Sequence, residues 1–400
     1  MLEGLKVVEY ATYMAAPGAG SILRDWGAEV IKVEPPGGDP IRNFFKTIGT
    51  DYQDNPVFDF DNRGKQSISV DTRTEEGAEI LRKLASTADV FLTNVRPGGL
   101  SRSGLDYDSL KAVNPKLVYC SLTGYGLEGP DANRPGFDVA SFWARSGVAA
   151  LTIPKGQEPF ALRTAFGDHT TSMATAAGIC AGLVEALRTG KGRLIETSLL
   201  RTALYALGTD FAIQLFFGRI GSTKSRAESI QPLMNFFKTK DGHWLCIVSR
   251  QGNADWAPIC RSLKLDHLID DDRYSSSKGR RANSAELVGL LDDAFGKFDR
   301  EEIAARMDVE QIAWAPVQTL AEVAADPQVM AAGGIVDMPS ADGGSYKAPA
   351  SPVRFPGADD GPKGPAPKNG EHTKSVLVSL GYSSETIEGL LRDGVVSEPS

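Results

Sequence analysis

Residues 5–34 constrain the fold more than any other stretch. LKVVEYA is a short apolar run, AGSILRDWG has helical character and stops at a glycine, and AEVIKVE is a second apolar run closed by Pro35 and Pro36. Strand, helix and strand in that order make a βαβ unit, so a parallel sheet covered by helices is expected. The alternation continues with SISVD, TEEGAEILRKLASTA, DVFLTN, YDSLKAVNP and LVYCSLTGYG. A doubly wound α/β region is therefore expected to about residue 126.

At 400 residues the chain exceeds what one hydrophobic core serves, so two domains are expected, or one interrupted by another. After the turn-rich GYGLEGPDANRPG, the stretch GDHTTSMATAAGICAGLVEALRTGKG reads as a long helix whose small residues imply close packing. RLIETSLLRTALYALGTDFAIQLFFG continues as a strand or helix start into a second helix. The polar, unpatterned 221–231 is expected to be a linker. MNFFKTKDGHWLCIVS then reads as a hairpin turning at Asp-Gly, which opens a small domain over 232–312. Residues 1–220 and 313–400 would build the large domain, with IAWAPVQTLAEVAADPQV as the return crossing and a tail rich in Pro and Gly wrapping its surface.

Forty-three basic against 51 acidic residues leave a net charge of -8, which argues against a dedicated nucleic-acid binder. No apolar run approaches a membrane span, and the N-terminus lacks a signal-peptide layout, so a cytoplasmic chain without a membrane partner is expected. Cys120, Cys180, Cys246 and Cys260 are far apart and read as buried thiols. His169, His243, His267 and His372 have no metal-ligand spacing, and no metal site is expected.

Gly18-Ala19-Gly20 after the first strand, with Glu34 ending the second, partly matches a dinucleotide fingerprint. Leu23 stands at the third glycine position and Glu34 comes early, so a turn with close helix packing is the preferred reading over an NAD site. Asp168, between Gly167 and His169 at the start of the long helix, reads as an N-cap. A carboxylate at a helix N-terminus is also held ionised by the dipole, which suits a nucleophile, and the pattern leaves both roles open. Asp138 follows a Pro-Gly turn and is equally open. Arg73, Arg96 and Arg102 follow predicted strand ends, where open α/β sheets bind anions.

Taken in order, LKVVEYATYMAAPGAGSILRDWGAEVIKVEPPGGDPIR, NRGKQSISVDTRTEEG, LTNVRPGGLSRSGLDYDSL, NPKLVYCSLTGYGLEGP, RPGFD and GDHTTSMATAAGICAGLVEALRTGKGRLIETSLL resemble the class III CoA-transferases over nearly the whole chain. PGFDVASFWARSGV is most similar to the subgroup acting on phenyllactate or branched 2-hydroxy acids. The resemblance implies a Rossmann-like large domain made from both chain ends, an inserted small α+β domain, and an interlocked homodimer. It puts the nucleophile at Asp168, with Asp138 and Gly167 in support. It puts coenzyme A contacts at Ala15, Val70, Arg73, Asn94, Val95 and Arg102. Pro35-Pro36 replaces an arginine that some members carry there, and Arg42 is the suggested substitute. Met14 stands where the formyl-CoA enzyme has a glutamine, which argues against oxalate as the acid.

The resemblance further implies CoA transfer from an acyl-CoA to a carboxylic acid through an aspartyl anhydride and an aspartyl-CoA thioester. Coenzyme A is then a substrate, and no tightly bound cofactor is expected. Three alternatives differ in what they require. A 2-methylacyl-CoA racemase on the same scaffold needs a histidine where this chain has Phe137. An NAD-dependent dehydrogenase needs the missing glycine, and a non-catalytic acyl-CoA binder needs no reactive Asp168.

Overall fold

The first apolar run forms strand β1 (Lys6–Tyr10), and the second forms β2 (Glu29–Glu34). Between them runs the first helix, Ala15–Asp25, with Arg24 in its last turn. Gly27, at φ 106°, takes the left-handed turn that ends it, a conformation only glycine adopts cheaply. The computed structural model describes residues 1–399 except 51, 53, 161, 164, 250 and 251. The remaining strands are β3 (Gln66–Val70), β4 (Val90–Thr93), β5 (Val118–Thr123), β6 (Leu194–Ser198), β7 (Met234–Lys238), β8 (Trp244–Val248), β9 (Ala313–Pro316), β10 (Ile335–Pro339), β11 (Ser345–Pro349) and β12 (Val396–Ser397).

The chain divides into two units: Met1–Ala149 with Phe160–Arg219 and Gln328–Ser400, and Ala150–Pro159 with Ile220–Pro327. The first holds a sheet of order β12-β3-β2-β1-β4-β5-β6, in which β1 to β6 are parallel and β12 adds antiparallel to β3. Successive strand residues face opposite sides. Val7, Val30, Val90 and Val118 pack with Leu23 and Ile179 on one face, while Val8, Ile31, Phe91 and Tyr119 pack with Ile80, Leu81 and Leu377 on the other. Because both faces are covered, β4 is buried at every residue, as a central parallel strand should be. A cavity-forming change there, such as Leu92→Ala, removes about 2–5 kcal/mol.

Gly18 and Gly20 lie inside the first helix rather than in a turn, and close packing requires both. A Cβ on Gly18 would stand 2.6 Å from Ser172 Oγ, and one on Gly20 would stand 1.9 Å from Glu9 Oε2. Glu34 is also spoken for: its carboxylate accepts from Arg42 Nε at 2.7 Å, Ser67 Oγ at 2.6 Å and the Asp39 amide at 2.9 Å. The two glycines thus serve close packing, as read, but within the helix and not in the turn expected there, and Glu34 is held by Arg42 and the Asp39 amide.

A buried charge network ties the same elements together. Lys32 Nζ lies 3.2 Å from Glu9 and 2.9 Å from Asp39, and Lys65 Nζ lies 2.7 Å from the other Glu9 oxygen. Lys65 also donates to the carbonyls of Pro17 and Asp61 at 2.9 and 2.7 Å. Burial depresses the Lys65 ammonium to about 8 despite Glu9.

The long helix spans Phe166–Thr189 and packs on the first helix, β5 and β6. By length and composition it would pass for a membrane span, contrary to the expectation that no such run exists. Its small residues suit its placement: a Cβ on Gly182 would meet Ile195 Cδ1 at 2.6 Å and Val118 Cγ1 at 3.0 Å, so a larger residue there would make those side chains shift. Cys120 and Cys260 are buried, whereas Cys180 and Cys246 are half-exposed; all four are free thiols.

In the second unit β7, β8 and β9 form an antiparallel sheet, and the β7–β8 turn contains Asp241-Gly242, with Gly242 at φ 88°. Its core includes Phe237, Ile247, Leu291 and Phe295, with the two phenylalanine rings stacked at 4.7 Å. This unit is larger than the 232–312 read from the sequence. Residues 313–316 pair with β8 rather than crossing back, and 220–231 and 150–159 also group here.

Candidate active site

In the sheet the strand order reverses between β1 and β4, so the loops leaving their carboxyl ends diverge and open a crevice. Asn94 bridges the two loops: its Oδ1 accepts from the Thr12 amide at 3.1 Å, and its Nδ2 donates to the Thr12 carbonyl at 2.7 Å. A cavity of about 590 Å³ lies there. Ala15, Asn94, Val95, Asp138 and Asp168 all line it, from segments up to 153 residues apart in sequence.

Asp168 does not cap its helix. The helix begins at Phe166 behind Ala165, which sits in the left-handed region at φ 75°, and Asp168 falls in the first turn. Its carboxyl is pushed up to about 7, first by burial and then by the neighbouring Asp138 charge, with His169 opposing. This reverses the dipole argument from the sequence, because lost solvation and a like charge outweigh the helix end.

Asp138 is buried and its pKa is raised by desolvation, with the Gly167 amide, which donates to Oδ2 at 3.3 Å, pulling the other way. Gly167 is needed for that approach. A Cβ there would lie 2.2 Å from Asp138 Oδ1 and 2.3 Å from Phe142 Cγ. Asp138 Oδ1 is itself buried without a hydrogen bond. Two carboxyl groups and a strained helix start thus share one wall.

Tyr13 and Phe137 rim the cavity with their rings edge to face at 5.4 Å. Tyr13 is also left-handed, at φ 66°, and its amide donates to Asp39 Oδ1 at 3.0 Å, which links the rim to the buried charge network. Non-glycine residues in this region cost about 1–2 kcal/mol each, and such strain concentrates at functional sites. Arg96 and Arg134 supply positive charge at the same cavity. Arg102 lies beside it, lining a neighbouring cavity of about 410 Å³ with Val95 and Arg96.

The other sequence candidates lie elsewhere. Val70 is buried in β3 opposite Val396. Arg73 is exposed and binds Asp71 through Nε at 2.8 Å and Nη2 at 2.7 Å. Arg42 is committed to Glu34 at 2.6 Å and lies 3.9 Å over the Phe58 ring, so it is not free to replace the missing arginine. Sequence reasoning missed Arg134, whose signal was its place in the turn-rich segment before Asp138. It also missed the pairing of His169 Nε2 with Asp61 Oδ1 at 3.1 Å. Burial lowers the His169 pKa, but the Asp61 bond and charge raise it further, leaving it above its usual value.

The description CoA-transferase family III matches residues 2–373. The chain is 35% identical over 399 residues to (R)-2-hydroxy-4-methylpentanoate CoA-transferase from Clostridioides difficile, covering 99% of each. It is 33% identical over 392 residues to succinate–glutarate CoA-transferase from Agrobacterium fabrum, covering 97% of this chain and 96% of that one. A CAIB/BAIF family protein from Brucella suis superposes with a TM-score of 0.83 at 34% identity, over 95% of this chain and 99% of the other.

Proposed function

This chain belongs to CoA-transferase family III, and on that premise we propose that Asp168 is the nucleophile that carries CoA from an acyl-CoA donor to a carboxylic acid. The observation that carries the reading is the Asp168 carboxyl itself, which faces the switch-point cavity with its pKa raised to about 7. A carboxylate of that basicity is half ionised at neutral pH and attacks better than an ordinary one.

An Asp168 oxygen bonds to the thioester carbonyl carbon, the C–S bond breaks, and CoA leaves as the thiolate with a mixed anhydride on Asp168. The thiolate then attacks the Asp168 carbonyl and expels the donor acid, giving an aspartyl-CoA thioester. The acceptor carboxylate attacks that carbonyl, the C–S bond breaks, and CoA leaves again as the thiolate, giving a second anhydride. Returning thiolate takes the acceptor acyl group, and Asp168 is regenerated. The relay consumes no oxidant and needs no resident cofactor, since coenzyme A is a substrate.

Asp138 and Gly167 hold the start of the helix in register for this chemistry. Ala15, Asn94, Val95 and Arg102 are the proposed contacts of coenzyme A, with Arg96 added. Val70 and Arg73 are proposed for its far end, where Arg73 is held only by an exposed pair with Asp71. Phe137 at the rim has no exchangeable proton, which disfavours the racemase reading. Exposed Leu187, Tyr205, Leu215, Phe216 and Phe217 form apolar surface that a partner subunit would cover, which supports the interlocked homodimer.

The test is to incubate the protein with acyl-CoA and hydroxylamine and to map the modification by mass spectrometry. A hydroxamate at Asp168 is expected, with turnover falling at least a thousandfold in Asp168→Ala. An unmodified Asp168 together with undiminished turnover in Asp168→Ala would sink the mechanism. The C. difficile relative is named for a branched hydroxy acid and the A. fabrum relative for dicarboxylates, and both classes are candidates for the acid exchanged here.

A further inference from the structure

Asp168 and His169 are neighbours in the first turn of the long helix, with Cα atoms about 3.8 Å apart across a trans peptide. Their side chains leave the helix in different directions. Asp168 lines the switch-point cavity, whereas His169 lines a second cavity, of about 620 Å³. There His169 Nε2 meets Asp61, at 3.1 Å from Oδ1 and 3.4 Å from Oδ2. Asp61 stands in the last turn of the helix Pro56–Asn62 and is buried, and the His169 ring is the donor that its carboxylate has among the described residues.

A buried carboxylate needs a cation or a donor, so Asp61 selects a ring with a proton on Nε2 and favours the charged form. The other charged and titratable groups on this wall have partners of their own. Arg63 Nη2 lies 2.6 Å from Asp25, Lys347 2.9 Å from Asp337, and the Tyr346 hydroxyl 3.4 Å from Asp59. The first helix gives the wall Gly18, Ser21 and Ile22, and no charge among the described lining residues. Lys65 holds Asp61 from behind by donating to its carbonyl at 2.7 Å, and the Phe60 ring stands edge to face with the imidazole at 5.2 Å. On the side of the first cavity are Asp168 and Asp138. The charges of Asp61, Asp168 and Asp138 all favour a proton on this one imidazole.

We infer that His169, anchored by Asp61, is a positioning residue that carries positive charge beside the nucleophile and keeps Asp168 an anion in the presence of Asp138. The inference rests on the transferase reading and supplies what that reading lacks. Asp168 and Asp138 line one cavity, so burial and like charge both favour the protonated, unreactive acid. A cation on the adjacent residue opposes both without occupying the space the thioester needs. The ring touches no reacting atom, and the Asp61 bond holds it on its own side of the helix. The coupling is reciprocal: an ionised Asp168 strengthens the hold of the ring on its proton by as much as the charged ring favours ionised Asp168.

Exchange of a labelled acid with its own CoA thioester, followed over pH 5.5 to 9, reads the ionisation of the nucleophile. Succinate and 2-hydroxy-4-methylpentanoate serve as probes, one from each acid class. His169→Gln keeps a donor for Asp61 and removes the charge. The acid limb of kcat/KM is expected to move up by about half a pH unit, so that the loss at pH 6 exceeds the loss at pH 9 about threefold. His169→Arg restores the charge and should return the limb to its wild-type position or below. A loss by one factor at every pH would mean that the ring only joins two helices, which overturns the inference and leaves the transferase reading intact. The ring gives a second measurement that needs no variant at His169. Its NMR titration in the full chain should have a midpoint above 6.5, and Asp168→Asn should lower that midpoint by about half a unit. A ring neutral from pH 6 to pH 8, or a midpoint unmoved by Asp168→Asn, overturns the inference even where the His169 variants do not fold. No exchange of either acid by the wild type would instead count against the transferase reading, and this inference falls with it.

Discussion

Asp168 combines two roles that make opposite demands on the fold. As the proposed nucleophile it must be ionised, so kcat/KM is expected to climb about tenfold from pH 6 to pH 8, following a pKa of about 7. A profile flat over that range would contradict the assignment. The same shift is a cost to stability. The folded carboxyl holds its proton up to about pH 7, whereas its unperturbed value is 3.8, so between those values the native state binds more protons than the unfolded chain. Stability therefore falls as pH rises through that window and levels off above it. Asp168→Asn removes the cost, and denaturant titration at pH 8 should find the inactive variant about 1–3 kcal/mol more stable than the parent. The residue type and position were legible in the sequence, with two roles left open. The pKa was not, because it depends on Asp138, thirty residues away, and on burial that no local pattern encodes.

Among elements, the start of the long helix depends on one missing side chain. Gly167→Ala would drive a methyl group into Asp138 and Phe142, so the helix start must shift. A loss of about 1–3 kcal/mol and a fall in kcat larger than the change in KM are expected from unfolding and steady-state measurements. The charge network under the first helix makes a second prediction. Lys65→Met leaves Glu9 with Lys32 alone and removes the donor that Lys65 gives to two carbonyls and to Asn62 Oδ1, so chemical denaturation should report a loss of about 3–5 kcal/mol. The strands and helices of the first 126 residues could be read from periodicity, because each is a run of apolar residues between Gly or Pro stops. The boundary at 313 could not. AWAP carries no signal that distinguishes a crossing from a third strand, and only pairing with β8 settles it.

For the whole molecule, the exposed apolar residues of the helices Leu199–Ala206 and Gly208–Phe217 are the feature that one chain leaves unexplained. Light scattering is expected to give twice the mass of the chain, and Phe216→Asp with Leu215→Asp should lower the yield of that species or shift it to monomer. A monodisperse, active monomer would remove the homodimer from the proposal.

Sequence alone determined the parallel α/β region, the glycine stops and the family, because these are written in local periodicity and in ordered blocks of residues. It also determined which acidic residues could carry chemistry. Tertiary structure decided which of them meet. The reversal of strand order between β1 and β4 brings Ala15, Asn94, Asp138 and Asp168 to one cavity, and Arg42 folds onto Glu34. Those outcomes depend on distance, desolvation and charge pairing between residues far apart in the chain, and such quantities exist only once the chain has folded.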